Sequence, residues 1–174
     1  LQEIENYFKD YDVDLIIHTA TCYGKGEENL FDLIETNLIL PCKILDLALK
    51  YKVKKFINID TVLDRNVNSY SLSKKQFLDW FKSKSYSVVK KRVNIQLEHF
   101  YGPNSSDKNF IKWISDEILK DSKNIPLTLC TQKRDFLYID DAVNAINIII
   151  NNMHNLSDGF EEFQVGTNND YELK

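Results

Sequence analysis

The sequence predicts an α/β protein, a doubly wound parallel sheet cut off at both ends, and three observations carry that prediction. Short apolar runs of strand length at 14–20, 56–60 and 93–97 recur with amphipathic helical stretches between them, the rhythm of a sheet whose crossovers are helices. The first of them, Asp14-Leu-Ile-Ile-His-Thr-Ala20, is a short apolar run followed by a turn-rich segment, as buried parallel strands read. No repeat, low-complexity tract or linker interrupts the pattern, so the 174 residues read as a single truncated domain spanning 1–174.

Leu1, Ile4, Tyr7, Phe8 and Tyr11 recur at spacings of three and four, which predicts an opening amphipathic helix. The period changes at Asp14-Leu-Ile-Ile-His-Thr-Ala20, a strand-length run followed by the turn-rich segment 22–28. From 29 to 51 the positions of Leu30, Leu33, Ile34, Leu38, Ile44, Leu45, Leu47 and Ala48 suit one long helix, with Pro41 expected to kink or break it. Lys50, Lys52, Lys54 and Lys55 close it, as suits the negative end of the helix dipole. Phe56-Ile-Asn-Ile-Asp60 is the second strand, and the polar loop 64–69 leads into a helix over 70–82. After the strand at 93–97, Tyr101-Gly-Pro103 ends regular structure. Phe110, Trp113, Ile114 and Ile118 share a helical stripe over 109–120, and 127–130 reads as a short strand. Asp140 and Asp141 open a further helix, and 163–166 reads as a last strand. Trp80 and Trp113 lie on apolar stripes and are expected in the core.

Composition excludes several classes. With 43% apolar and 28% charged residues the chain is an ordinary folded protein, neither disordered nor fibrous. A net charge of −4 without a long single-sign block suggests no nucleic-acid partner and no anionic membrane surface, and the apolar stretches are too short to span a bilayer. Cys22, Cys42 and Cys130 are too widely spaced for a zinc ribbon or a redox pair and are odd in number, so the expected compartment is the reducing cytoplasm. His18, His99 and His154 show no metal-ligand spacing, and no metal is expected. Leu1 falls in mid-pattern with no start Met, so the sequence is expected to begin inside a larger protein.

In sheets of this kind ligands sit beyond the carboxyl ends of the strands, which directs attention to the residues just after Ala20, Asp60 and Leu97. Tyr70-Ser-Leu-Ser-Lys74 sets a phenol and an ammonium one turn apart on one helix face. A cation beside a phenol favours the phenolate, so the Tyr70 pKa is expected to fall from about 10 toward neutrality, which suits acid–base work. Alone the spacing is weak, since a lysine stem lying across a tyrosine ring produces it equally well. Thr61, directly after the second strand, can orient a substrate oxygen beside the phenol; its bland reading is a turn or cap residue.

Several motifs in chain order together resemble the extended short-chain dehydrogenase/reductases, the nucleotide-sugar epimerase, dehydratase and ketoreductase family. Asp14-Leu-Ile-Ile-His-Thr-Ala-Thr21 resembles the family's strand ending in His-x-Ala, and Asn37 matches the Asn of its next helix. Phe56-Ile-Asn-Ile-Asp-Thr61 resembles the strand that delivers the catalytic Ser or Thr, with Tyr70 and Lys74 where its Tyr-x-x-x-Lys pair falls. Tyr101-Gly-Pro103, Arg134-Asp-Phe-Leu-Tyr-Ile-Asp-Asp141 and Phe163-Gln-Val-Gly166 resemble three later family segments. The resemblance implies a Rossmann-like fold, NAD or NADP as cofactor, a nucleotide-sugar substrate, and a possible homodimer built through the helix carrying Tyr70 and the long helix before it. It assigns catalysis to Thr61, Tyr70 and Lys74, and cofactor contact to Thr19, Ala20, Thr21, Asn37, Ile59, Tyr70 and Lys74. It gives substrate contact to His99 and Arg134, the latter on the diphosphate, with 104–130 facing the nucleotide sugar.

The departures from the family pattern narrow the reaction. The Gly-rich turn that cradles the pyrophosphate is expected upstream of Leu1, together with the residue that separates NAD from NADP, and a substrate-binding portion is expected beyond Lys174. Thr61 is followed by Val62 and Leu63 where dehydratases of the family carry an Asp-Glu pair, and two aliphatic side chains cannot transfer the protons of an elimination. His99 stands where many members have Asn. The pattern looks most like the 4-ketoreductases of nucleotide-linked 6-deoxyhexoses, with a 4-epimerase or a non-catalytic dinucleotide-sensing relative as alternatives. The remaining conspicuous groups have bland readings: His18 as a packed structural residue, Cys22 without a His partner, Arg134 as a surface arginine paired to Asp135 or Asp140, and Asp140 and Asp141 as helix-opening acids.

Overall fold

The computed structural model describes residues 2–24, 27–107, 109–127 and 129–172. They cluster into two compact units, one made of the residues up to Gln96 with Asn152–Phe163, the other of Leu97–Asn151 with the residues from Gln164 on.

The first unit carries a four-stranded sheet in the order β1 (Leu15–His18), β2 (Lys55–Thr61), β3 (Lys91–Leu97), β6 (Gly159–Val165). β1 and β2 run parallel, with His18 opposite Asn58. The helices α1 (Gln2–Asp10), α2 (Leu30–Ile34), α3 (Leu40–Lys50) and α4 (Ser69–Lys82) belong to it. α4 starts where Asn68 accepts the Ser71 N–H and the Ser71 hydroxyl accepts the Asn68 N–H, a reciprocal cap. Its inner face buries Phe77 and Phe81, which stack at 5.5 Å, and Phe81 meets Phe56 of β2 at 5.0 Å. Leu45 and Ala48 of α3 close the same core. Each buried ring contributes about 1.5–3 kcal/mol against about 1 kcal/mol for the cap, so packing holds α4 on the sheet and the cap sets where it begins.

The expected break at Pro41 takes the form of a π-helical turn, Glu35–Ile39, joining α2 to α3 without interruption. Pro41 has no N–H to give the Asn37 carbonyl, and its ring crowds that carbonyl in α register. The Leu40 N–H bonds the Glu35 carbonyl instead, which widens the turn. Asn37 lies in the middle of this bulge.

In the second unit β4 (His99–Tyr101) pairs parallel with β5 (Lys133–Tyr138), and β5 antiparallel with β7 (Asp170–Glu172); α5 (Phe110–Leu119) and α6 (Ile139–Asn152) complete it. Gly102 of the Tyr-Gly-Pro turn lies against Ile139, where a Cβ would collide with the isoleucine side chain.

Several expectations need correction. Residues 127, 129 and 130 are not a strand, and Cys130 has φ +53°, incompatible with extended pairing. The strand β5 was not anticipated, because Lys133, Arg134 and Asp135 hide an alternating pattern whose inward residues are Asp135 and Leu137. Trp80 is 56% exposed instead of in the core, and Trp113 is half-buried. β6 begins at Gly159, four residues before the expected start.

Candidate functional site

Within the first unit, the loop after β1, the end of β2 and the first turn of α4 converge. Tyr70, the second residue of α4, lies near Thr21 and Thr61, whose hydroxyls favour its ionised form, and its ring lies 5.1 Å from that of Tyr23. Burial first, and Tyr23 second, push the phenol well above its ordinary pKa, with the two threonine hydroxyls offsetting part of the rise. This corrects the expectation of an acidified phenol. The Lys74 ammonium is not among the groups acting on it: its Nζ donates to the Ile59 carbonyl at 2.7 Å. In the protein alone Tyr70 is a firmly protonated donor.

Lys74 is 3% exposed, and burial lowers its pKa to about 8, with the Asp60 carboxylate raising it and Lys75 adding to the fall. Thr61, the last residue of β2, is buried; its Oγ1 accepts the Leu63 N–H at 3.2 Å. The adjacent Lys75 donates to Asp60 Oδ2 at 2.8 Å and to the Thr61 carbonyl at 2.6 Å.

Asn37 is the hub behind this cluster. Its Oδ1 accepts the Cys22 N–H at 2.8 Å and the Thr21 hydroxyl at 3.5 Å, while its Nδ2 donates to the Cys22 carbonyl at 2.7 Å and to Ser73 Oγ at 3.0 Å. The π turn therefore clamps the loop after β1 to α4. Thr19 and Ala20 lie exposed just beyond β1. Cys22 is buried, and burial raises its thiol pKa, which disfavours the thiolate. His18 packs on Phe77 with ring centroids 6.0 Å apart, and burial together with Lys74 lowers its pKa to about 4. It is a neutral, packed imidazole.

In the second unit His99 and Arg134 stand on paired strands, His99 opposite Phe136. His99 Nδ1 is 3.8 Å from the Glu98 carboxylate, and burial, then Arg134, lower its pKa. Arg134 donates to the Lys133 carbonyl at 2.9 Å and makes no ion pair with Asp135 or Asp140 among the described residues. Asp135 is occupied by the Thr167 hydroxyl and the Asn168 N–H. Asp140 and Asp141 occupy the first turn of α6. Among the described residues no group of three His, Cys, Asp or Glu is arranged to hold a metal ion, and no helix is long and apolar enough to cross a membrane.

The fold brings together Thr61 and Tyr70, which the sequence singled out, and sets near them Tyr23, Ser73, Asp60 and Lys75, which it did not. Asp60 did carry a signal, a charge at the end of an otherwise buried strand. Lys75 carried none, since its partner lies 15 positions away.

A parallel sheet with flanking helices and polar side chains gathered at its strand ends defines a Rossmann-like α/β protein. Among solved structures, UDP-glucose 4-epimerase from Thermotoga maritima shares this fold with a TM-score of 0.81 at 19% identity, over 98% of this chain and 60% of that one. The dTDP-glucose 4,6-dehydratase of Bacillus anthracis, solved with NAD, follows at 0.77 and 21% identity, over 98% and 57%. The chain belongs to the NAD-dependent epimerase/dehydratase family, whose model matches residues 1–166, as the motifs implied. CDP-abequose synthase of Salmonella typhimurium is 34% identical over 91% of this chain. The chain spans 55% of that relative's length.

Proposed function

We propose that the protein reduces a keto group of a nucleotide-linked 6-deoxysugar with NADH or NADPH, working in the cytoplasm. The observation that carries this reading is the Tyr70 phenol, half-buried, held protonated above neutral pH, and lying near Thr61 and Thr21. Reduction of a carbonyl needs such a donor. The similarity to a CDP-abequose synthase supports a nucleotide-linked sugar as substrate.

The residues fit a nicotinamide dinucleotide at its ribose end. Lys74 Nζ has three N–H donors and gives one to the Ile59 carbonyl among the described residues, leaving others for ribose hydroxyls. Thr19, Ala20 and Thr21 offer the loop surface beside it, and Asn37 acts by fixing that loop. The dinucleotide, when bound, supplies hydride to the carbonyl carbon. Tyr70 passes its phenol proton to the carbonyl oxygen, and Thr61 orients that oxygen by donating its hydroxyl proton. Lys74, as a cation, holds the ribose. Arg134 grips the diphosphate with its planar fork, His99 contacts the sugar, and 104–130 faces the nucleotide sugar. Val62 and Leu63 supply no second acid–base pair, so elimination of water is not part of the proposal. Leu30, Phe31, Leu72 and Trp80, exposed on α2 and α4, fit a homodimer built through these helices.

The test is an assay with a nucleotide-linked 4-keto-6-deoxyhexose and reduced dinucleotide. Tyr70→Phe is expected to lose about 10²–10⁴-fold in kcat with cofactor binding retained. Near-normal turnover by that variant removes Tyr70 from the mechanism.

A further inference from the structure

Beneath Thr61 and Lys74 lies a buried charge pair that neither the motifs nor the proposed chemistry explains. The Asp60 side chain is wholly buried, and Lys75 beside it is 12% exposed. Asp60 Oδ2 accepts from Lys75 Nζ at 2.8 Å and from Asn94 Nδ2 at 3.1 Å. Asn94 is fixed in turn by Asn58, whose Nδ2 donates to its Oδ1 at 2.7 Å, and by Glu162 Oε2, which accepts from Nδ2 at 2.8 Å. Asp60 Oδ1 is buried with no hydrogen-bond partner among the described residues. A carboxylate placed there, next to the strand-end threonine, is a costly feature unless it serves the cations around it.

We propose that Asp60 and Lys75 form a positioning couple: the Asp60 carboxylate keeps Lys74 a cation inside the site, while Lys75 anchors that carboxylate and pins the Thr61 carbonyl. The inference rests on Lys74 acting as a cation in the proposed reduction. Two attachments make the couple geometric as well as electrostatic. Lys75 bridges Asp60 and the Thr61 carbonyl, so the end of β2 is tied to the first turns of α4. Lys74, the next residue back, is tied to the same strand through Ile59.

The groups facing Lys74 can be named from each element. β2 contributes Asp60, a negative charge that favours the ammonium, and α4 contributes Lys75, a positive charge that opposes it. β1 contributes His18, neutral near pH 7. Glu162 of β6 reaches the cluster through Asn94. Removing either member of the couple must therefore move Lys74 in opposite directions, which a role confined to packing does not do.

The experiment follows the Lys74 side-chain resonances by pH titration in lysine-labelled protein, without cofactor or substrate. Asp60→Asn keeps the shape and removes the negative charge, and the Lys74 midpoint is expected to fall by about 1 unit or more. Lys75→Gln removes the opposing cation, and the midpoint is expected to rise. The alkaline limb of kcat/KM moves with it in each variant. Shifts of the same sign in both variants, or no shift in either, overturn the couple. Should Asp60→Asn fail to fold, Lys75→Gln alone decides by the direction of its shift. The resonance readout needs no turnover: a titration that behaves as expected in a protein inactive on keto sugars upholds the couple and rejects the reductase reading instead.

Discussion

Tyr70 and Lys74 are one helical turn apart, yet burial moves them in opposite senses, the phenol upward and the ammonium downward to about 8. The consequence is that both groups are protonated at neutral pH. Lys74 loses its proton as pH rises through about 8, so kcat/KM of the free enzyme is expected to decline above that pH, and Lys74→Arg, which stays charged, is expected to flatten the decline. His18 gives a second pH signature. Its folded pKa of about 4 lies below the unfolded value near 6.5, so the unfolded chain binds a proton first and stability is lost as pH falls through that window. Lowering pH from 7 to 5 is expected to remove roughly 2 kcal/mol through this residue, and melting curves of His18→Leu should show a correspondingly smaller loss. The spacing of Tyr70 and Lys74 was legible in the sequence because a separation of four residues fixes a local geometry on a helix. Their charge states were not, since those depend on burial and on Asp60, Thr21 and Tyr23, which are brought near only by folding.

At the scale of elements, the π turn carries more of the site than any strand does. Pro41 removes the donor that the Asn37 carbonyl would need in α register, and the bulge turns the Asn37 side chain toward Cys22, Thr21 and Ser73. Asn37→Ala leaves the Cys22 N–H and carbonyl buried without partners, and is expected to cost about 1–3 kcal/mol in chemical unfolding. It should also lower kcat, because Thr21 loses its tether. The proline was visible in the sequence as a helix disturbance, but its form was not, because a kink, a break and a π turn share the same local signal. β2 and β3 were legible from strand-length segments carrying Phe, Ile, Val and Leu, and α4 from its position after a polar loop. β5 was not, because an Arg and an Asp flank its apolar residues and the partner strands that satisfy it come from distant segments.

On the scale of the whole molecule, the order of the motifs revealed the family before any coordinate did, since spacing between strand ends is constrained by the sheet. Arg134 illustrates what the order supplies and what it omits. The Arg-Asp-Phe segment was recognisable, while the engagement of Asp135 with Thr167 and Asn168, which leaves Arg134 without an acidic partner among the described residues, depended on contacts across more than thirty positions. Arg134→Lys is expected to raise KM for the nucleotide sugar about tenfold with kcat little changed, because a point charge replaces a bidentate fork. The central claim is net reduction at a carbonyl by a protonated tyrosine. The most direct measurement is the stoichiometry between reduced dinucleotide consumed and sugar hydroxyl formed from a nucleotide-linked 4-keto-6-deoxyhexose. Equal amounts, lost together in Tyr70→Phe, are the predicted result. Sugar inverted at a carbinol centre with no net consumption of reduced cofactor, or cofactor bound with no turnover at all, would contradict it.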